Sequence, residues 1–201
     1  LLALAVIYFA SGKQKPIRAF VGVIVLVVSC VVGHTDSFAF WEDDLTFEGE
    51  SIYNYLQVRE DDNAVYLSTN VLFGYSQLCK DESLSGMYYD YAMAAPFMAG
   101  VNEKDNMDVL ILGMGTGTYA TQCDRYFNNM TMEGVEIDQD ITDLAVEYFH
   151  LSEDVPVYTY DGRAYLNAAD KTYDVIMVDA YQDITIPFQM STVEFFTMVK
   201  E

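Results

Sequence analysis

The stretch MDVLILGMGTGTYA, residues 107–120, decides the fold. Its first half is a run of apolar residues typical of a buried strand, and its second half begins a helix. Three glycines, Gly113, Gly115 and Gly117, stand at alternate positions where the strand gives way to the helix. Glycine at such a turn lets the backbone approach a ligand closely and leaves the N–H groups of the helix N-terminus free. The stretch therefore predicts the strand, turn and helix of an α/β domain that binds a ligand at the turn.

The strand–helix pattern then repeats along the chain. Such alternation predicts a doubly wound, Rossmann-like parallel sheet with right-handed crossovers. A full domain of this type continues beyond its fourth strand, so we interpret the chain as part of a longer protein with the sheet truncated there. The predicted strands are 108–113, 131–137, 155–160 and 174–179, and the predicted helices are 118–127, 141–150, 162–169 and 192–201.

The sequence before this domain has other patterns. Two apolar segments separated by the basic loop SGKQKPIR favour a pair of membrane helices. Short runs of alternating apolar and polar residues surround a turn at residues 61–63, which predicts a small antiparallel β-unit. The stretch 85–100 is predicted to be one helix that ends at Gly100. The predicted units are 1–34 (membrane helix segments), 35–50 (connector), 51–80 (antiparallel β-unit) and 81–201 (incomplete Rossmann-like ligand-binding domain).

Composition excludes one class of partner. The chain has 10 Lys and Arg residues against 31 Asp and Glu residues, a formal net charge of −21. A surface this acidic repels phosphates, and no basic stripe with interleaved aromatics occurs, so no nucleic-acid partner is expected. The charge would attract a cationic substrate, although a solvated acidic surface also explains it. Because Cys30, Cys79 and Cys123 have neither metal-ligand nor disulfide spacing, we expect small buried hydrophobic residues and no metal.

Carboxylates stand at the ends of the second, third and fourth strands, at Glu136, Asp161 and Asp179. Because the carboxyl ends of parallel strands share one edge of the sheet, we expect these side chains to face one crevice. Glu136 can accept both hydroxyls of a ribose, and Asp161 can accept the amino group of an adenine. The dinucleotide fingerprint would need a third glycine at Thr118, so G-x-G-x-G predicts a nucleoside-type ligand without a pyrophosphate. A tight turn would explain the glycines alone, and a solvated strand end would explain any one acid.

Taken together, the motifs resemble a known family. The order GxGxG, VEID, YDGRAYL and YDVIMVDA, followed by IPFQMSTVEFF, is similar to the spermidine synthase (polyamine aminopropyltransferase) group of the S-adenosylmethionine-dependent transferases. The resemblance is greatest to the branch in which the domain follows membrane helices, and it covers residues 50–201. It implies a methyltransferase-type Rossmann-like fold and the transfer of an aminopropyl group from decarboxylated S-adenosylmethionine to an amine such as a polyamine.

The resemblance also implies roles for individual residues. Asp179 would be the catalytic carboxylate, and we hypothesise that it acts as the general base while Tyr88 and Gln77 shape the acceptor pocket. The co-substrate would be S-adenosylmethionine or its decarboxylated form, with no metal. The expected partners are a small cationic amine and, through the N-terminal helices, a membrane, and a homodimer is possible. The predicted donor-binding residues are Gly113, Gly115, Gly117, Glu136, Asp161 and Gly162.

The sequence departs from the family pattern at three places. Thr116 stands where the family's glycine loop usually carries an acid, and alanines precede Pro96 where the family has a histidine. After the fourth strand, Gln182 occupies the expected place of an acid, with Asp183 one position later. Each departure removes a polar contact to an amine. Two alternatives therefore stay open: an S-adenosylmethionine-dependent methyltransferase, and a non-catalytic nucleoside-sensing domain of a membrane protein.

Two arguments about location disagree. The basic loop would place the acidic body outside the cell under the positive-inside rule. A donor made in the cytoplasm would place it inside. We follow the chemistry and expect an integral membrane protein whose transferase domain is cytoplasmic.

Overall fold

The structure is a computed structural model that describes residues 16–34, 37, 39, 42, 44–70, 74–181 and 185–200. The chain divides into two compact units, residues 1–43 and 44–201. The first unit contains helix α1 (Pro16–Val32), which has 17 residues. Across the described ranges, no helix combines the length and apolar character needed to cross a membrane. The predicted membrane helices are therefore not supported at α1, and the first apolar segment, residues 1–10, lies outside the described residues.

The second unit begins with an antiparallel sheet in the order β1-β2-β3-β4. Asp61 forms the turn between β2 and β3, because its Oδ1 accepts the N–H groups of Asn63 at 2.7 Å and Ala64 at 2.8 Å. β1 lies in the stretch that the sequence assigns to the connector, and it pairs with β2 along its length. The strands are β1 (Leu45–Glu50), β2 (Tyr55–Glu60), β3 (Ala64–Thr69) and β4 (Gly74–Cys79).

Two short helices follow where the sequence predicts one, namely α2 (Tyr88–Ala92) and α3 (Ala95–Ala99). The break has a physical reason. Pro96 lacks an N–H group and fits only the first turn of a helix, so a new helix starts just before it. Gly100 then ends α3 in the left-handed conformation with φ of 69°, as predicted for a helix C-terminus.

A parallel sheet forms the centre of the second unit, with the strand order β7-β6-β5-β8. This confirms the predicted Rossmann-like fold. The chain runs outward from β5 to β7 and then places β8 on the other side of β5. Ligands of such sheets bind at the carboxyl ends of the strands, beside this reversal of strand order. The strands are β5 (Met107–Leu112), β6 (Met130–Glu136), β7 (Val157–Thr159) and β8 (Val175–Val178).

Helices cover both faces of the parallel sheet. Val109 and Ile111 of β5 pack with α4 on one face, while Leu110 and Leu112 pack with Phe195 of α7 on the other. This alternation follows from the two-residue period of a strand. The helices are α4 (Thr118–Tyr126), α5 (Gln139–Tyr148), α6 (Gly162–Ala168) and α7 (Val193–Lys200), with a 3₁₀ turn at Phe188–Met190 before α7.

Helix α5 joins the two sheets. Its apolar residues Ile141 and Leu144 pack against Leu56, Val58 and Leu67 of the antiparallel sheet. The polar residues at the start of α5 are thereby brought next to the turn between β1 and β2. This contact determines one wall of the site described below.

The three cysteines differ in burial. Cys123 is buried in α4, as expected, whereas Cys79 is partly buried and Cys30 is exposed. The expectation of three buried thiols was wrong for Cys30, because most of the described side chains of α1 are exposed. All three thiols are free.

Candidate functional site

A cavity of about 260 Å³ lies at the carboxyl ends of β5, β6 and β8. Its walls come from the glycine turn after β5, from α2 and from the antiparallel sheet. Gly117 and Gln77 are the two predicted site residues that do not line it. The predicted site residues that line the cavity are Tyr88, Gly113, Gly115, Glu136, Asp161, Gly162 and Asp179.

The three glycines of the turn serve different purposes. At Gly113 a side-chain Cβ would lie 2.6 Å from the carbonyl oxygen of Asp179, so glycine allows the ends of β5 and β8 to meet. At Gly117 a Cβ would lie 2.7 Å from the side chain of Leu151. At Gly115 no atom lies within 4 Å of that position. Gly115 therefore leaves space for a ligand, whereas Gly117, predicted as donor-binding, makes room for the side chain of Leu151.

Glu136 is held rigidly at the end of β6. Its side chain is buried, and its Oε2 accepts the N–H of Gly115 at 2.9 Å. Its Oε1 accepts the N–H groups of Ile137 at 2.8 Å and Asp138 at 3.1 Å. Burial raises the pKa of Glu136, although the three N–H groups favour the charged form. Because Oε2 has accepted one hydrogen bond, it can still accept a ligand hydroxyl.

Asp161 and Gly162 lie where β7 leads into α6. Asp161 caps the helix, because its Oδ1 accepts the N–H of Ala164 at 2.8 Å. A Cβ on Gly162 would lie 3.3 Å from the terminal methyl of Met190, which also lines the cavity. The cap fixes the direction of the Asp161 carboxylate, and the absence of a side chain at Gly162 keeps the cavity open beside it.

Asp179 and Tyr88 form a pair in the cavity wall. The hydroxyl of Tyr88 donates to Oδ2 of Asp179 at 2.5 Å. Burial raises the pKa of Asp179 to about 6, and the hydrogen bond from Tyr88 partly opposes this rise. Such a carboxylate is charged at neutral pH and binds a proton more strongly than an ordinary aspartate. These are the properties of a general base.

Replacing Tyr88 by Phe is expected to raise the pKa of Asp179 further. The hydroxyl stabilises the charged carboxylate, and a hydrogen bond to a charged group contributes enough to change a pKa by about one unit or more. NMR titration of the Asp179 carboxyl carbon in both proteins measures the change. Tyr91→Phe, on the same helix but exposed, is the matched control. An equal pKa in wild type and Tyr88→Phe would contradict the assigned hydrogen bond.

Gln77 supports the site through its backbone. The hydroxyl of buried Tyr89 donates to the carbonyl oxygen of Gln77 at 2.8 Å and accepts its N–H at 3.1 Å. This fixes α2 and the neighbouring Tyr88. The Gln77 side chain lies outside the cavity, where its Nε2 donates to the carbonyl oxygen of Ser85 at 3.3 Å. Ser76, the preceding residue of β4, lines the cavity, whereas the Gln77 side chain does not. A role of the Gln77 side chain in the acceptor pocket stays a prediction.

Sequence reasoning missed the hydroxyl contacts of Thr116. Its side chain is 1% exposed, and its Oγ1 lies 2.6 Å from Oγ of Ser76 and 2.9 Å from Oγ1 of Thr118. These contacts connect the glycine turn to the antiparallel sheet. No local signal indicates them, because Ser76 and Thr116 are 40 residues apart in the chain.

The cavity suits a ligand that is both aromatic and cationic. Its described lining includes the carboxylates of Glu136, Asp161 and Asp179 but no Lys, Arg or His side chain. Aromatic faces can stack on a base or contact a cation. The described residues include no cluster of His, Cys, Asp or Glu suited to a metal ion. Gln182 and Asp183, singled out in the sequence, lie outside the described residues. The tyrosines of the lining are Tyr53, Tyr88, Tyr89, Tyr119, Tyr160 and Tyr181.

Comparison with known proteins gives consistent matches. The model of the spermine/spermidine synthase domain family matches residues 89–201. A "Probable polyamine aminopropyl transferase" of Bifidobacterium longum is 58% identical over 201 residues, which cover 99% of this chain and 44% of the relative. The chain thus spans less than half the length of that relative.

Solved structures share the fold. A probable spermidine synthase from Corynebacterium glutamicum matches 76% of this chain and 58% of its own, with a TM-score of 0.66 and 21% identity. A spermidine synthase in complex with the transition-state analogue AdoDATO matches 78% of this chain and 54% of its own, with a TM-score of 0.62 and 17% identity. At these identities the likeness concerns the fold alone.

Proposed function

Because this chain belongs to the spermine/spermidine synthase family, we propose that it forms the donor site of an aminopropyltransferase. The donor is decarboxylated S-adenosylmethionine, and the acceptor is a small amine such as a polyamine. The observation that carries the proposal is the Tyr88–Asp179 pair, which lines the same cavity as Glu136 and the open space at Gly115. A potential base and a nucleoside-sized space are thereby placed side by side.

The donor's adenosine fits the rim between β5 and β7. Glu136 can accept a ribose hydroxyl at Oε2, and Asp161 can accept the adenine amino group. The space over Gly115 admits the ribose close to the backbone. These contacts use the polar groups that the nucleoside offers.

Charge supports the decarboxylated donor over S-adenosylmethionine itself. The described lining has three carboxylates and no basic side chain, so a donor carboxylate would meet like charges without a cationic partner. The decarboxylated donor carries only positive charges, on its sulfonium and its amine. The same lining would attract the cationic acceptor.

The reaction is a displacement at carbon. The acceptor nitrogen attacks the aminopropyl carbon next to the sulfonium sulfur, and a C–N bond forms as the C–S bond breaks. The bonding electrons go to sulfur, and neutral 5′-methylthioadenosine leaves. The proton lost by the acceptor ammonium passes to Asp179. Since the leaving group is already good, the protein mainly positions the two reactants.

The pKa of Asp179 determines how difficult the proton transfer is. An ammonium has no lone pair, so the amine must lose its proton before it attacks. Between a lysine-like amine and an ordinary aspartate, the pKa gap of about 6.5 units corresponds to roughly 9 kcal/mol. A carboxyl with a pKa of about 6 lowers that cost by about 3 kcal/mol.

Product mass distinguishes the candidate functions. The protein is incubated with a polyamine mixture and either donor, and products are followed by mass spectrometry, with heat-denatured protein as control. We expect a polyamine heavier by one aminopropyl group, together with methylthioadenosine, from the decarboxylated donor only. A methylated product from S-adenosylmethionine would instead establish a methyltransferase. Binding of a donor without any product would indicate a sensing domain.

A further inference from the structure

A network of hydrogen bonds joins the β1–β2 turn to the start of α5. The hydroxyl of Ser51 donates to Oδ2 of Asp138 at 2.5 Å, and Nδ2 of Asn54 donates to the same oxygen at 3.3 Å. The other oxygen of Asp138 accepts the N–H of Asp140 at 3.2 Å and caps the helix. Asp138 is 2% exposed, so both of its oxygens are engaged inside the protein.

The shape of the turn depends on Ser51. Its Oγ accepts the N–H groups of Tyr53 at 3.0 Å and Asn54 at 2.9 Å. Its hydroxyl proton has Oδ2 of Asp138 at 2.5 Å as the nearer acceptor and the carbonyl oxygen of Asn54 at 3.3 Å as the farther one. Oδ1 of Asn54 accepts Nδ2 of Asn70 at 3.0 Å. Tyr53 and Asn54 both line the cavity. The position of this wall is therefore set by the contact between Ser51 and Asp138.

Asp138 also contacts the ribose side of the cavity, because its N–H donates to Oε1 of Glu136 at 3.1 Å. A helix cap alone requires only a neutral acceptor such as Asn or Ser. Burying a carboxylate is expensive unless all its oxygens are satisfied. Here the second oxygen reaches a turn 87 residues away in the chain, and a hydrogen bond from a hydroxyl to a carboxylate is unusually strong. The carboxylate is thus suited to fixing the turn as well as capping the helix.

We propose that Asp138 is a positioning residue for the donor: its carboxylate holds Tyr53 and Asn54 at the nucleoside end of the cavity, and its N–H orients Glu136. The identity of the ligand rests on the proposed function, but the contact between the turn and α5 does not. The two parts are therefore tested by different measurements.

Asp138→Asn is expected to remove the hydrogen bond between Ser51 and Asp138 while keeping the helix cap. Asparagine still caps α5, but its one oxygen cannot serve both partners, and its amide would face a Ser51 oxygen that already accepts two N–H groups. We expect the KM for the decarboxylated donor to rise about tenfold or more, with the acceptor KM within about twofold of wild type. Ser51→Ala should raise the donor KM by a similar factor. The donor KM of the double variant should be little higher than that of either single variant. Asp140→Asn, exposed on the same helix turn, is the matched control.

Hydrogen exchange tests the contact without any ligand. In Asp138→Asn the amides of Tyr53 and Asn54 should exchange faster than in wild type, whereas Ser51→Thr, which keeps the hydroxyl, should retain their protection. Unchanged exchange, or an unchanged donor KM in Asp138→Asn, overturns the positioning role even if the wild type transfers aminopropyl groups. Faster exchange in a protein that binds no adenosyl compound would support the contact and overturn the proposed function.

Discussion

Asp179→Asn is expected to lower kcat for aminopropyl transfer by about 10²–10⁴-fold, with little change in the affinity for methylthioadenosine. Asparagine has the same shape and can still accept the hydrogen bond from Tyr88, so the cavity keeps its form. It cannot accept the proton of the acceptor ammonium. The backbone N–H at this position donates to the carbonyl oxygen of Leu112 at 2.8 Å, which holds the end of β8 in either protein. Steady-state kinetics and calorimetric titration separate the two effects.

Two controls make this result specific. Asp170→Asn removes a charge from an exposed position before β8 and should leave kcat within about twofold of wild type. In the wild type, kcat/KM should fall as the pH drops through about 6, because Asp179 becomes protonated. In the Asn variant the inflection of the pH profile near 6 should disappear, because this position then carries no titrating group. Full activity of Asp179→Asn with unchanged nucleoside binding would exclude Asp179 as the base.

Gly115→Ala is expected to weaken nucleoside binding strongly while the protein remains folded. Its methyl group would occupy the open space beside the ribose position, so we expect affinity for methylthioadenosine to fall by about 100-fold or more, as for a lost polar contact combined with a steric clash. The alanine would keep a φ of 54°, in the left-handed region, which costs about 1–2 kcal/mol of folding free energy. Titration and chemical denaturation measure these two effects.

Gly113→Ala, by contrast, should lower the stability of the fold more than Gly115→Ala does. Its Cβ would lie 2.6 Å from the carbonyl oxygen of Asp179 and 2.7 Å from the N of Ala180, both backbone atoms that cannot move aside cheaply. With a φ of 87° added to this overlap, we expect the free energy of unfolding to fall by about 3 kcal/mol or more. A Gly113→Ala protein as stable as wild type would contradict the close approach of β5 and β8. Normal nucleoside binding by Gly115→Ala would contradict the ligand position.

Much of the fold could be predicted because its signals are local. Apolar strands that alternate with amphipathic helices indicate a parallel sheet. The carboxyl ends of its strands all lie at one edge of the sheet, where ligands bind. Glu136, Asp161 and Asp179 could therefore be assigned to one crevice before any coordinates, and all three line the cavity. Their roles in binding and catalysis stay predictions until the variants are measured.

Other features depend on contacts that the sequence does not reveal. The side of the strand on which Gln77 lies depends on the register of β4, and a shift of one residue exchanges it with Ser76. Gly117 faces Leu151, which is distant in sequence. The sequence alone therefore could not distinguish a packing role for Gly117 from a role in ligand binding. The contact between Ser51 and Asp138 likewise requires that α5 pack against the antiparallel sheet.

An adenosine moiety is expected in the open space over Gly115 and beside Glu136, and a crystal structure of the protein grown with 5′-methylthioadenosine tests this most directly. We predict a ribose hydroxyl within about 2.5–3.0 Å of Oε2 of Glu136, the adenine amino group beside Asp161, and the thioether sulfur facing Asp179. A nucleoside bound away from the glycine turn, or a complex in which Glu136 makes no contact with the ribose, would contradict the proposed site.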